Sequence, residues 1–253
     1  MLSQDLIARL WWGKFRGVFE PAARRWIGKK GRVISGQLKG YSFSGGLAQI
    51  LGIYEIHVQR AFIEGILPGM VVYDIGANNG FFTLFASHLV GNQGKVFAFE
   101  PYPPNMEKLV RNISGNNCSN VFPQMSAVSD SSGNAELSFE GSTATPSLMA
   151  ISSESSITIG KVSIDDFCLA NNMPDFIKVD VEGLENNVLT GAIKLLEKCR
   201  PSWIIEIHSE DNEAEVVQFL RKFKYSFRAL NHPRTDIKPF PRNIFVQGNL
   251  VEA

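Results

Sequence analysis

Between residues 71 and 230, short apolar runs alternate with longer amphipathic stretches. The runs VVYDI (71–75), KVFAFE (95–100), VFPQMSAVS (121–129), DFIKVDVEG (175–183) and SWIIEIH (202–208) read as buried strands, the third interrupted by Pro123. Between them, FFTLFASHLV (81–90), NMEKLVRNISGN (105–116), LENNVLTGAIKLLE (184–197) and NEAEVVQFLRKF (212–223) repeat apolar residues at helical spacing. Gly91 closes the first of these helices, and the third shows Leu184, Val188, Leu189, Ile193 and Leu196 on one face. AELSFE (135–140) is expected as a further edge strand, and ITIGKVSIDDFCLA (157–170) as a strand, a turn and a short helix. YSFRAL (225–230) and NIFVQG (243–248) suit an antiparallel pair at the sheet edge.

Upstream, YEIHVQRAFIEGIL (54–67) predicts an amphipathic helix ended by Pro68-Gly69. RVISGQLKGYSFS (32–44) predicts a strand pair with glycine turns, and residues 5–27 are helical in part, weakened by Gly13, Gly17 and Pro21. Ser, Thr and Gly crowd residues 141–156, which predicts a mobile loop. Strands alternating with helices of this length predict an α/β fold, a doubly wound and mostly parallel sheet with an antiparallel C-terminal edge. The expected division is an N-terminal extension, 1–45, and a main domain, 46–253.

Charge alters this picture only at the N-terminus. The 253 residues carry no formal net charge, which offers nucleic acid no electrostatic footprint. Residues 1–40, however, hold nine Lys or Arg against Asp5 and Glu20, a balance of +7 that leaves −7 for the remainder. Trp11, Trp12, Phe15, Phe19 and Trp26 interleave with these cations. Such a segment either packs over a ligand cleft or at a dimer contact, or lies at an anionic membrane surface. Three widely spaced cysteines, Cys118, Cys168 and Cys199, suggest neither a disulfide framework nor a zinc site. No run reaches the length of a membrane span, and the first residues lack the order of a secretion signal. The expected location is the cytoplasm, with peripheral membrane contact through residues 1–40 as the alternative. Oligomeric state leaves no signal in the chain.

In a doubly wound sheet the ligand lies beyond the carboxyl ends of the strands, where strand order reverses. Four of those ends bring acids: Asp74, Glu100, Asp180 and Glu206. Gathered at one sheet edge they would repel one another unless they served a polar or cationic ligand. The turn after Asp74 reads Gly76-Ala77-Asn78-Asn79-Gly80. Glycines here either let a ligand approach the backbone or pack the strand against the next helix. Dinucleotide sites need a middle glycine for the pyrophosphate, and this chain has Asn78. Asp74 would repel a pyrophosphate but suit an ammonium, and Glu100 can accept both hydroxyls of a ribose. A nucleoside with an amino group and no phosphate, S-adenosylmethionine, fits that pair.

The motifs DIGANNG, FEPYPPN, IKVDVEGLE and IIEIH, in this order over about residues 54–210, resemble the FkbM-type methyltransferases. The resemblance implies a class I, Rossmann-like fold and methylation of hydroxyl groups on sugars, polyketides or glycolipids. It implies that Asp74 and the Gly76–Gly80 turn, with Ala77 and Asn78, hold the methionine part of the cofactor. Glu100 would take the ribose, Pro101 would also belong to the cofactor site, Ser126 and Ala127 would border the adenine, and Asp180 would sit near the sulfonium and the incoming hydroxyl. The acceptor would be a small molecule or a glycan. One departure is Asn79, where an apolar residue is expected.

For a hydroxyl acceptor a base takes the proton as the new bond forms. His208 is the first candidate, since a neutral imidazole is ordinarily available near pH 7; Asp180 and Glu182 follow. A carboxylate beside a sulfonium stays ionised, which favours an electrostatic role for Asp180. Asp180, Glu182, Glu206 and His208 could ligate a divalent ion, but nothing in their spacing demands one, and no metal is expected. Glu185 is expected in a solvated first helical turn, and Glu206 reads equally as a cap. Two other functions remain open on the residues: a cofactor-binding interaction module without chemistry, and a nicotinamide-dependent oxidoreductase, which Asn78 disfavours.

Overall fold

The computed structural model describes residues 4–12, 30–139, 155–230 and 242–247. The helices are α1 (Gln4–Trp12), α2 (Leu47–Leu51), α3 (Ile56–Gly65), α4 (Phe81–Val90), α5 (Pro103–Ser114), α6 (Ile164–Phe167), α7 (Glu185–Thr190), α8 (Ile193–Lys198) and α9 (Glu210–Lys222). The strands are β1 (Lys30–Arg32), β2 (Ser42–Ser44), β3 (Val71–Ile75), β4 (Lys95–Phe99), β5 (Val121–Gln124), β6 (Ala127–Val128), β7 (Gly133–Phe139), β8 (Ser155–Val162), β9 (Phe176–Val179), β10 (Ser202–Ile207), β11 (Ser226–Ala229) and β12 (Arg242–Gln247).

Seven strands form the central sheet in the order β11-β12-β10-β9-β3-β4-β5. From β10 to β5 neighbours run parallel, and β12 pairs antiparallel with both β10 and β11. The chain moves outward from β3 through β4 to β5, then returns to lay β9 on the other side of β3. Strand order therefore reverses at β3, and the crevice opens past Ile75, Phe99 and Val179.

Alternation along the strands builds the two faces of the sheet. Val72, Ala98, Phe176 and Ile204 pack with Val58 and Phe62 of α3, Leu84 and Phe85 of α4, and Leu109 of α5. Their neighbours Tyr73, Phe97, Ile177, Val179, Trp203 and Ile205 pack on the opposite face with Val188, Leu189, Leu195, Val216 and Leu220 of α7–α9. Burying both faces explains why β3, β4 and β9 are almost continuously apolar.

Three expectations are corrected. The third strand, 121–129, divides: β5 ends the main sheet, and β6 joins a separate sheet in the order β6-β8-β7. Pro123 is tolerated because β5 is an edge strand. The strand expected at 135–140 is β7, which pairs with β8 in that small sheet and not at the main edge. The single helix expected over 184–197 breaks into α7 and α8. At the break, a Cβ on Gly191 would meet the Ser129 carbonyl oxygen at 2.1 Å, so the neighbouring chain takes the space a side chain would need. Asp165 restarts the helix by accepting the N–H groups of Lys194 and Leu195 at 3.0 and 2.8 Å.

Helix α1 packs on the main domain. Trp11 is buried with Leu47, Leu51 and Ile53, and Gln4 Nε2 donates to the Gly52 carbonyl and to Gln59 Oε1. The rest of the basic, aromatic segment, 13–29, and most of the loop expected at 141–156 lie outside the described residues; Ser155 and Ser156 begin β8.

Candidate active site

A cleft enclosing about 630 Å³, open solvent included, lies at the reversal point. Gly76, Glu100 and Pro101 line it from the ends of β3 and β4, and Ser126 and Ala127 from the link into β6. Asp180 and Glu182, after β9, line the remaining wall. Sequence patterns did not single out Phe99, Asn105, Leu137 and Leu184, which also face the cavity. Asn105 lies inside the FEPYPPN motif, so a signal existed. Leu137 arrives from the small sheet, and nothing in its own strand points to a cavity.

Gly76 answers the question its turn raises. Its φ is +79°, and a Cβ there would lie 1.8 Å from the Asp180 carbonyl oxygen. The glycine is required by the neighbouring strand's backbone, and the same contact brings β3 and β9 together at the cavity. The N–H groups of Gly76 and Ala77 both donate to the Phe99 carbonyl, at 3.0 and 2.9 Å. Asn78 adopts φ +51°, a conformation Asn tolerates better than most residues. Gly80, at φ +85°, starts α4. Ala77, Asn78 and Gly80 thus shape the wall from behind. The departure at Asn79 is accommodated by a reciprocal amide pair with Gln49, at 2.9 and 3.2 Å.

Glu100 is 4% exposed. Its two oxygens accept the N–H groups of Asn78 at 2.8 Å and Tyr102 at 2.9 Å. Burial pushes its carboxyl up to about 7, against the pull of those two amides. The Asn105 side chain also hydrogen-bonds this carboxyl, and the lone pairs left over are its acceptor capacity for a ligand.

Asp74 stands one layer deeper, with no exposure. Thr83 Oγ1 donates to its Oδ2 at 2.6 Å, while Oδ1 is buried and has no hydrogen-bond partner among the described residues. Burial raises its pKa, opposed by Lys178 and Thr83. Lys178 is 2% exposed and sits across the β3–β9 register from Asp74. Its ammonium contacts Asp180 Oδ2 at 3.0 Å. Burial favours the neutral amine, but Asp180, Asp74, Glu206 and Glu55 outweigh it and raise the pKa further. Burial also raises Glu55 and pushes Glu206 up to about 9, the latter reinforced by Asp180 and Glu55. Lys178 and Glu55 were not anticipated from the sequence.

His208 lies beyond β10, its Nε2 3.8 Å from Asp180 Oδ1 and 3.4 Å from Glu182 Oε2. Its Nδ1 is 2.8 Å from Glu185 Oε1. Burial lowers the ring's pKa, but the Glu185 hydrogen bond and the charges of Glu185, Asp180 and Glu182 outweigh it, and the value rises to about 9. Three surrounding carboxylates thus favour the protonated ring, which weighs against His208 as a base. The expectation for Glu185 is corrected: it has no exposure and accepts the Gly183 N–H at 3.0 Å, so it is not a solvated first-turn acid. Burial raises Glu182, opposed by His208. Asp180, Glu182 and His208 could each offer one ligand atom to a metal, all within 4.8 Å of one another.

Comparison with known proteins identifies the family and the fold. Residues 74–227 match the Methyltransferase FkbM domain. Over 175 residues the chain is 33% identical to the hexuronic acid methyltransferase AglP of Haloferax volcanii, covering 68% of this chain and 70% of that one. A methyltransferase FkbM from Methylobacillus flagellatus superposes with a TM-score of 0.54 at 16% identity, over 79% of this chain and 53% of that one. The chain thus spans about half the length of that protein. SMU.1697c of Streptococcus mutans, solved in complex with SAH, superposes with a TM-score of 0.50 at 13% identity, over 76% and 95% of the two chains. These superpositions support the fold. Among the described residues, no helix is long and apolar enough to cross a membrane.

Proposed function

The chain belongs to the FkbM methyltransferase family, and on that premise we propose that it methylates a hydroxyl of a saccharide, glycolipid or related natural product with S-adenosylmethionine. The observation that carries this is the cavity itself. It lies at the reversal of strand order, with Glu100 at one side and the Asp180–Glu182 wall at the other. The relative that methylates a hexuronic acid supports a saccharide acceptor. Family membership removes the nicotinamide-dependent alternative.

S-adenosylmethionine supplies a methyl group already activated on a sulfonium; the protein supplies alignment and a suitable field. The free lone pairs of Glu100 accept the ribose hydroxyls, with Pro101 shaping the wall beside them. Gly76, with Ala77, Asn78 and Gly80 behind it, holds the methionine part, and Asp74, with its unpartnered Oδ1, stands one layer beneath. Ser126 and Ala127 border the adenine. Asp180 stabilises positive charge, its orientation held by Lys178. Glu182 accepts the acceptor's proton, a role supported by its side chain, 42% exposed and lining the cavity. His208 orients Glu182 and carries a charge that favours its ionised form, so it ranks behind Glu182 as base.

The test incubates the enzyme with S-adenosylmethionine and a panel of glycans, some containing hexuronic acids. Formation of S-adenosylhomocysteine with a methylated glycan is expected. Cofactor binding without turnover on any hydroxylated acceptor would remove the saccharide assignment. Calorimetry showing no binding of either cofactor form would remove the methyl-transfer assignment.

A further inference from the structure

The wall opposite Glu100 gathers more ligating side chains than proton transfer alone needs. Asp180 follows β9, Glu182 comes two residues later, and His208 follows β10. Adjacent strands thus deliver three ligating side chains to one point. The Nε2 distances of 3.8 Å to Asp180 and 3.4 Å to Glu182 leave a position about 2.0–2.4 Å from all three donors. That is the bonding range of a divalent cation on nitrogen and oxygen.

Acids at strand ends would not define such a site alone. The imidazole changes the case, because its far nitrogen is clamped by Glu185, a carboxylate with no exposure. A buried carboxylate on the distal nitrogen is the usual support of a metal-bound histidine; it fixes the ring and strengthens it as a donor. The other oxygen of Glu185, Oε2, is buried with no hydrogen-bond partner among the described residues. Burying this acid so incompletely satisfied is costly, and holding His208 in place is the visible return. Charge points the same way. Asp180, Glu182 and Glu185 surround the point, against His208 and Lys178, and Lys178 is shared with Asp74 and Glu55. Lys178 takes Asp180 Oδ2, which leaves Oδ1 free for a cation.

We propose that Asp180, Glu182 and His208 bind one divalent cation, with Glu185 as the residue that positions the imidazole. One imidazole and two carboxylates suit manganese, which accepts both donor types; on binding, the cation replaces the Nε2 proton of His208, which is released to solvent. Asp180 and Glu182 line the cavity, so the remaining coordination positions face it. There an acceptor hydroxyl replaces a water and becomes more acidic, and Glu182 Oε1 stays available for its proton. What the cation does rests on the proposed methyl transfer; the binding itself does not.

The test is manganese binding to the chelator-treated full chain, without cofactor or acceptor, by electron paramagnetic resonance and calorimetry. One Mn²⁺ per chain is expected, bound at least tenfold more weakly by Glu182→Gln and by His208→Asn. Glu185→Gln is expected to weaken it about 10–100-fold. Titration of the same samples with S-adenosylhomocysteine reports whether the cavity is intact, so His208→Asn carries the test should Glu182→Gln fail to fold. No saturable manganese signal, or one unchanged in the folded variants, overturns the proposal. That result leaves methyl transfer standing where S-adenosylhomocysteine still binds. Manganese bound at this site by a protein that ignores S-adenosylhomocysteine upholds the cation site and sinks methyl transfer instead.

Discussion

Glu100 illustrates what burial does to a single side chain. The folded state holds its carboxyl at about 7, well above the ordinary 4.5, so the folded chain keeps this proton longer than the unfolded one. The associated stability is fully present below about pH 4.5 and is lost as pH rises through 7, with an upper bound of about 3 kcal/mol. Urea unfolding at pH 5 and pH 8 is expected to show a smaller pH difference in Glu100→Gln than in the unaltered protein. Glu100→Ala is expected to weaken S-adenosylhomocysteine binding by about 1–3 kcal/mol, read by calorimetry; unchanged affinity in a folded variant counts against the ribose assignment. Gly76 makes the matching point about backbone. Gly76→Ala combines a positive φ with a Cβ driven into the Asp180 carbonyl, and a loss of roughly 2–4 kcal/mol or more is expected on urea unfolding.

Elements were legible in the chain to the degree that local pattern decides them. Strand 71–75 and helix 81–90 appear with the expected bounds, because each is an apolar run closed by glycine. The break between α7 and α8 was not legible. The apolar period continues through it, and only the approach of Ser129 and the carboxylate of Asp165 impose the interruption. Asp165→Ala removes the acceptor for two α8 N–H groups, and a destabilisation of about 1–2 kcal/mol is expected by chemical denaturation. Residues 121–129 likewise carry one strand's pattern but supply two sheets, a choice made by the partners available to each half. At α1, Trp11 is committed to the domain, not to solvent. Trp11→Ala is expected to speed amide hydrogen exchange across residues 4–12 while leaving the central sheet protected.

Across the whole molecule, ligand and fold are linked by mass action. A ligand at 100 times its dissociation constant stabilises the folded state by about 2.7 kcal/mol, or several degrees in a protein of this size. S-adenosylhomocysteine is expected to raise the melting temperature by that order, and NADH to leave it unchanged. By itself the sequence determined the order of strands and helices, the acids at strand ends and the family, since these depend on residues close along the chain. Only the tertiary structure decided that Glu185 is buried against His208, that Lys178 stands among four carboxylates, and that Leu137 reaches the cavity. Burial and charge at those positions are sums over neighbours distant in sequence, which no local pattern contains.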